Sequence, residues 1–194
     1  MSLFSITITL FLLMDPFGNV PIFMSHLHRL DPKRQRKVIC RELLFALGIM
    51  FIFLYLGEMT LELLDVSRSS VQVAGGLILF LIALKMIFPP KEEPATDAPY
   101  REPFIVPLAV PFVAGPGALT AIMLYAGQST PYYLVISAIV LAWLFTTLLL
   151  LGAPYIQRVL GEKGMKACEI LMGLILTLMA VQMFLAGIKS FMME

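Results

Sequence analysis

Apolar residues run along this chain in long blocks, without the strict alternation of a half-exposed strand or the three-to-four spacing of a helix lying on water. Six such blocks, residues 2–30, 38–57, 71–88, 104–127, 132–155 and 167–189, are separated by short polar stretches. About 20 mostly apolar residues cross the hydrocarbon of a bilayer as a helix, whereas a barrel strand needs only about 10 with alternating character. Blocks of this length without alternation predict six transmembrane helices. The first block has no Lys or Arg before it and runs past Met14 without a small-residue cleavage site, so it reads as a retained span and not a signal peptide.

Composition agrees with that solvent. Of the 194 residues, 59% are hydrophobic and only 14% charged, against roughly 25% charged in a soluble domain. The formal net charge of +1 offers no broad basic surface, which argues against a nucleic-acid partner. Charge matters here through its placement. Basic residues gather in the first, third and fifth connections and the helix ends beside them: Arg29 to Arg41, Lys85 to Arg101, and Arg158 to Lys166. Only Arg68 and Lys189 fall on the opposite side. The bias of Lys and Arg toward the cytoplasm then places those connections inside and both termini outside, while the same basic stretch is also suited to anionic lipid. Cys40 and Cys168 stand far apart with no CxxC, so neither a disulfide framework nor a thiolate metal site is expected. The methionines are scattered apolar filling.

Residues 89–103, PPKEEPATDAPYREP, differ from every other connection in their prolines and charges. Such a composition builds no packed core and reads as a cytoplasmic linker. It divides a single transmembrane domain, residues 1–194, into a first repeat over 1–88 and a second over 104–194. Displacing the sequence by 97 residues sets VAGGLILFLIALKMIF (73–88) over ILMGLILTLMAVQMFL (170–185), with seven identities in sixteen positions. The same displacement superposes Gly18 on Gly115 within two Pro/Gly clusters. Three spans per half force the second half into the membrane upside down, the inverted-repeat plan of many secondary transporters. The expected fold class is therefore an all-α membrane protein of six helices in two inverted three-helix repeats.

Both clusters fall inside apolar blocks. Asp15-Pro16-Phe17-Gly18-Asn19-Val20-Pro21 interrupts the first, and Pro111-Phe112-Val113-Ala114-Gly115-Pro116-Gly117 the fourth. Each proline removes an amide donor and clashes one turn back, glycine tolerates positive φ, and Asp and Asn favour turns and caps. The first and fourth helices are thus expected to be discontinuous. A helix restarting after a break presents free amides that suit a carboxylate, and the half-helix before it ends in carbonyls that suit an ammonium or a small cation. Gly18, Ala114, Gly115, Gly117 and Ala118 leave room for little side chain, so a small zwitterion fits. Asp15 either receives an ammonium, a proton or Na⁺, or simply caps the restarted helix.

At DPFGNVPIF (15–23) and VPLAVPFVAGPGALT (106–120) the chain resembles the MarC family, a small neutral amino acid transporter-like group of six-span bacterial inner-membrane proteins, and is most similar to its YhgN branch. RELLFAL (41–47), GGLILFLIALKMIFP (75–89) and LMGLILTLMAVQMFLAGIK (171–189) extend the likeness over essentially the whole chain. The resemblance implies a secondary transporter, exporter or exchanger, for small neutral amino acids such as glycine or alanine. It carries the substrate-site region onto Asp15, Gly18, Asn19 and Pro21, and onto Gly115, Pro116, Gly117 and Thr120.

Other residues receive plainer readings. Glu42 beside Arg41 is expected to form a neighbouring salt bridge, Lys85 to reach outward to the interface, and Gln182 to hydrogen-bond across helices. Gly75, Gly76 and Gly173 are expected to let helices approach closely. His26 and His28 lack a third nearby ligand, so no metal is expected. No Ser-Lys pair, catalytic His/Glu pair or CxxC points to an enzyme, and no GxxxxGK[ST] motif to ATP. The partners expected are a small-molecule substrate and the lipid bilayer, with H⁺ or Na⁺ as coupling ion, no other cofactor, and a homo-oligomer left open. A channel, a transporter of another small metabolite and a non-transporting protein of the same fold remain the alternatives. The orientation is checked with reporter fusions: a C-terminal alkaline phosphatase should be active and a C-terminal fluorescent protein dark, and the reverse pattern contradicts this topology.

Overall fold

The computed structural model describes residues 2–27, 30–89, 113–126 and 130–193. The chain enters helix at Leu3, where Ser2 accepts a hydrogen bond from the Ser5 amide, and runs as α1 to Leu13. It resumes as α2 (Pro16–Leu27), followed by α3 (Pro32–Leu63), α4 (Arg68–Ile87), α5 (Pro116–Ala126), α6 (Tyr132–Leu151) and α7 (Ala153–Phe191). There is no strand among the described residues. Five stretches are long and apolar enough to cross a membrane: residues 3–24 taken together, α3, α4, α6 and α7; α5 is a shorter apolar helix. The expected linker, and the fourth block as far as Phe112, lie outside the described residues.

Two helices are longer than their apolar blocks. At 1.5 Å per residue, the 32 residues of α3 extend about 48 Å and outreach the roughly 30 Å hydrocarbon layer. Its first turns, with Pro32 at the permissive start and Lys33, Arg34, Arg36 and Lys37 exposed, form that overhang. In α7 the expected loop after Tyr155 is instead helical on both sides of Gly161, which turns the corner at φ 64° and ψ 179°. That conformation is almost confined to glycine.

Lipid does not push two apolar helices together, so close packing must. The six alanines Ala46, Ala83, Ala118, Ala138, Ala142 and Ala180 are fully buried at the helix contacts, whereas Phe4, Leu63 and Leu178 are more than 70% exposed. α6 carries no charged residue, yet it buries Val135, Ala138, Ile139, Ala142, Thr146 and Leu150 along one face and turns Leu144, Phe145 and Leu148 outward. The Trp143 indole N–H of α6 donates to the Leu43 carbonyl of α3 at 2.8 Å.

The most extensive helix pair is α4 with α7, which run antiparallel. A side chain at Gly76 would stand 2.8 Å from the Phe184 amide nitrogen and 2.9 Å from the Ala180 carbonyl oxygen. One at Gly173 would stand 3.1 Å from the Ala83 carbonyl oxygen, and one at Gly187 2.9 Å from the Val73 nitrogen. Backbone meets backbone there, as expected for Gly76 and Gly173. Gly75 instead faces Thr120 of α5 and Met183 of α7. Gly76→Val is expected to destabilise the protein by about 1–3 kcal/mol, because backbone cannot yield as a side-chain tip does. Gly48→Val, where nothing lies within 4 Å, should leave unfolding in detergent almost unchanged; equal midpoints for the two variants would refute the close approach.

Candidate functional site

Between α1 and α2 the chain leaves helical conformation at Asp15, whose φ of 42° lies in the left-handed region. Pro16 then opens α2, the position where a missing amide costs nothing. The polar groups freed by this interruption are answered locally. The Gly18 amide donates to Asp15 Oδ1 at 3.1 Å, and the Asn19 amide donates to the Asp15 carbonyl at 3.1 Å. The Asn19 side-chain amide donates back to the Met14 carbonyl at 2.9 Å. Asp15 is 8% exposed and Asn19 2%, so these bonds are made out of water. Asp15 thus acts as the cap of α2, one of its two expected readings. The Thr146 hydroxyl of α6 reaches Met14 Sδ at 3.8 Å.

The second cluster opens differently. Val113, Ala114 and Gly115 are buried, Pro116 begins α5, and the Leu119 amide donates to the Gly115 carbonyl at 3.0 Å. Gly115 occupies the place that Asp15 occupies before α2, but it has no side chain to offer. α5 therefore starts without the carboxylate cap that α2 has. Pro111 and Phe112 lie outside the described residues.

α4 runs beside both clusters. A side chain at Gly18 would overlap the Asp15 carboxylate and approach the Met86 methyl group. One at Gly117 would stand 3.1 Å from a Leu79 methyl and 3.3 Å from a Leu13 methyl, and Thr120 lies against Gly75. Gly75, Leu79 and Met86 share one face of α4, with Met86 and Leu79 about 10 Å apart along the axis at 1.5 Å per residue. Asp15, Gly18 and Asn19 therefore form one group at the Met86 level. Gly115, Gly117 and Thr120 form another near Leu79, and the end of α1 connects the two through Leu13. Pro21 and Pro116 are half-buried.

One side chain that the sequence did not single out adjoins these residues: the Met86 methyl group approaches Gly18. No signal pointed to it, one methionine among thirteen. Glu169, the one acidic residue in the block 167–189, is half-buried on α7. Gln182 departs from its expected role: it is exposed on α7 and lines a cavity. Glu42 does pair with Arg41, Oε1 to Nη2 at 2.8 Å, with its side chain fully buried. Lys85 is exposed. His28 and the His26 side chain lie outside the described residues, among which no group of His, Cys, Asp and Glu is arranged to hold a metal ion.

An all-helical chain with long apolar helices, small residues at their contacts and an apolar exterior is an integral, multi-pass membrane protein. Residues 1–192 match the model of the MarC family integral membrane proteins, and the chain belongs to that family. It is 50% identical over 191 residues to the UPF0056 inner membrane protein YhgN of Escherichia coli K12, covering 97% of this chain and 96% of that one. It is 48% identical over 189 residues to a UPF0056 membrane protein of Buchnera aphidicola from Schizaphis graminum, covering 96% and 95%. A Chlamydia muridarum UPF0056 membrane protein is 34% identical over 191 residues, covering 97% and 94%. No solved structure matches.

The cap at Asp15 is tested by comparing two uncharged replacements. Asparagine keeps an acceptor for the Gly18 amide and alanine does not, so Asp15→Ala should be less stable than Asp15→Asn by about 0.5–2 kcal/mol. Equal thermal midpoints in detergent would show that the hydrogen bond does not hold the start of α2.

Proposed function

We propose that the chain is a secondary transporter, an exporter or exchanger, that binds small neutral amino acids such as glycine or alanine beside the two interruptions. The observation that carries this reading is the start of α5. It is buried and lined by Gly117, Ala118 and Thr120, and its residue preceding the helix is a glycine where α2 has its own carboxylate. A substrate carboxylate takes at α5 the place that Asp15 holds at α2, receiving the first amides and the positive end of the helix dipole. Thr120 offers a hydroxyl. The closeness of Gly117 to Leu79 and Leu13 limits the side chain that fits, which favours glycine and alanine over larger residues.

The burial of Asp15 beside the turn between α1 and α2 supports a cation as the coupling ion. A carboxylate held out of water is eased by a proton or by Na⁺. The inverted repeat is part of the same reading. Gly76 lies on the Ala180 carbonyl and Gly173 on the Ala83 carbonyl; a displacement of 97 turns Gly76 into Gly173 and Ala83 into Ala180, so it exchanges the two contacts. The same displacement exchanges the packing of α4 on α5 with that of α2 on α7. Rocking one repeat-derived bundle against the other then alternates access, with both termini outside and the basic connections in the cytoplasm.

Counterflow in proteoliposomes tests the function. Vesicles holding unlabelled alanine should accumulate labelled glycine or alanine. Gly117→Val, whose added Cβ first meets the movable ends of Leu79 and Leu13, should abolish that exchange while the protein still assembles. No flux of glycine, alanine or serine under any imposed gradient overturns the amino-acid reading, and full flux in Gly117→Val overturns the site.

A further inference from the structure

A cavity of about 670 Å³ lies between the second half of α1, the first turns of α4, the last turns of α5 and the C-terminal part of α7. The last three of those parts belong to the face that carries both ends of the chain. Its polar lining is Thr9, Gln72, Tyr125 and Gln182, with Leu13 and Met183 among its apolar members. Gln72 and Gln182 have no hydrogen-bond partner among the described residues. An amide held within an apolar helix is costly in hydrocarbon unless water or a solute satisfies it. Two such amides converging on one cavity argue that this space is wet.

Its inner end has a definite position. Leu13 stands with Leu79 against Gly117, and Met183 stands with Thr120 against Gly75. The cavity therefore stops one side chain short of the start of α5. We propose that it is the aqueous vestibule by which a small uncharged or zwitterionic solute reaches that site, with Gln72 and Gln182 as its first polar contacts and Met183 with Leu13 as the closing pair. This rests on the transporter reading for its destination.

The chemistry of the lining selects the solute. Among the described residues no lining residue is charged, so a simple ion gains no counter-charge from them, whereas the amide of a glutamine serves an ammonium and a carboxylate alike. At a displacement of 97 the equivalents of Gln72 and Gln182 are Glu169 and Lys85.

Thiol labelling separates a wet vestibule from a groove filled by lipid. With Cys40 and Cys168 replaced by serine, Gln72→Cys and Gln182→Cys are placed in lipid nanodiscs and treated with a charged maleimide, with Leu144→Cys on the outer face of α6 as control. Maleimide attacks the thiolate, which forms where water reaches, so both vestibule positions should react at least about tenfold faster than the control. Saturating alanine should slow that reaction. Rates equal to the control overturn the vestibule, and fast rates indifferent to alanine overturn its role as a solute path. Counterflow by the unsubstituted protein is measured separately: flux with slow labelling refutes this inference alone, and fast labelling without flux refutes the transporter reading alone.

Discussion

Every backbone amide and carbonyl inside a bilayer must find a partner within the protein, because hydrocarbon offers none. The organisation around Asp15 follows from that constraint. Pro16 and Gly18 allow the chain to leave the helix, and this alone would strand donors and acceptors out of reach of water. The side chains of Asp15 and Asn19 take up the Gly18 amide and the Met14 carbonyl, so the interruption is closed by residues within five positions of one another. The start of α5 faces the same constraint with glycine in the capping place. That difference makes the two helix starts chemically unequal despite similar punctuation: α2 carries a carboxylate in the residue before it and α5 does not.

Contact between helices is governed by the same solvent. Leaving lipid for a neighbouring helix changes little for a leucine, so association depends on shape. The α4 and α7 backbones approach at Gly76, Gly173 and Gly187 closely enough that a methyl group would press on main-chain atoms. This pair forms a closely packed spine, and α4 carries on one face the side chains that overlie Gly18 and Gly117. Packing and site are therefore coupled: the helix locked to α7 also supplies Met86 above Gly18 and Leu79 above Gly117.

Much of this was legible before any coordinates. The long apolar blocks locate the helices, the Asp-Pro-Phe-Gly-Asn stretch falls at the turn between α1 and α2, and Gly76 and Gly173 mark a close approach. Less legible were the ends. Gly161 reads as a loop residue between apolar blocks, yet the helix continues past it on both sides because a single residue at positive φ turns the corner. Gln182 reads as an interhelical hydrogen-bonding residue because a polar group in an apolar block needs a partner. The partner it lacks among the described side chains is what makes the cavity informative.

The sequence by itself determined the solvent, the lengths of the spans, and the residue types that interrupt and cap them, since these depend on local chemistry and on the number of apolar residues needed to cross a bilayer. Tertiary structure alone decided which face of each helix turns inward. In water an apolar stripe announces the buried side, but in α6 both faces are apolar because lipid and protein interior are equally poor in polar groups. Only packing could separate Ala138 and Ala142 from Leu144 and Leu148, and place Met86 over Gly18. These relations join residues far apart in the chain through shape, and local hydropathy carries no record of shape.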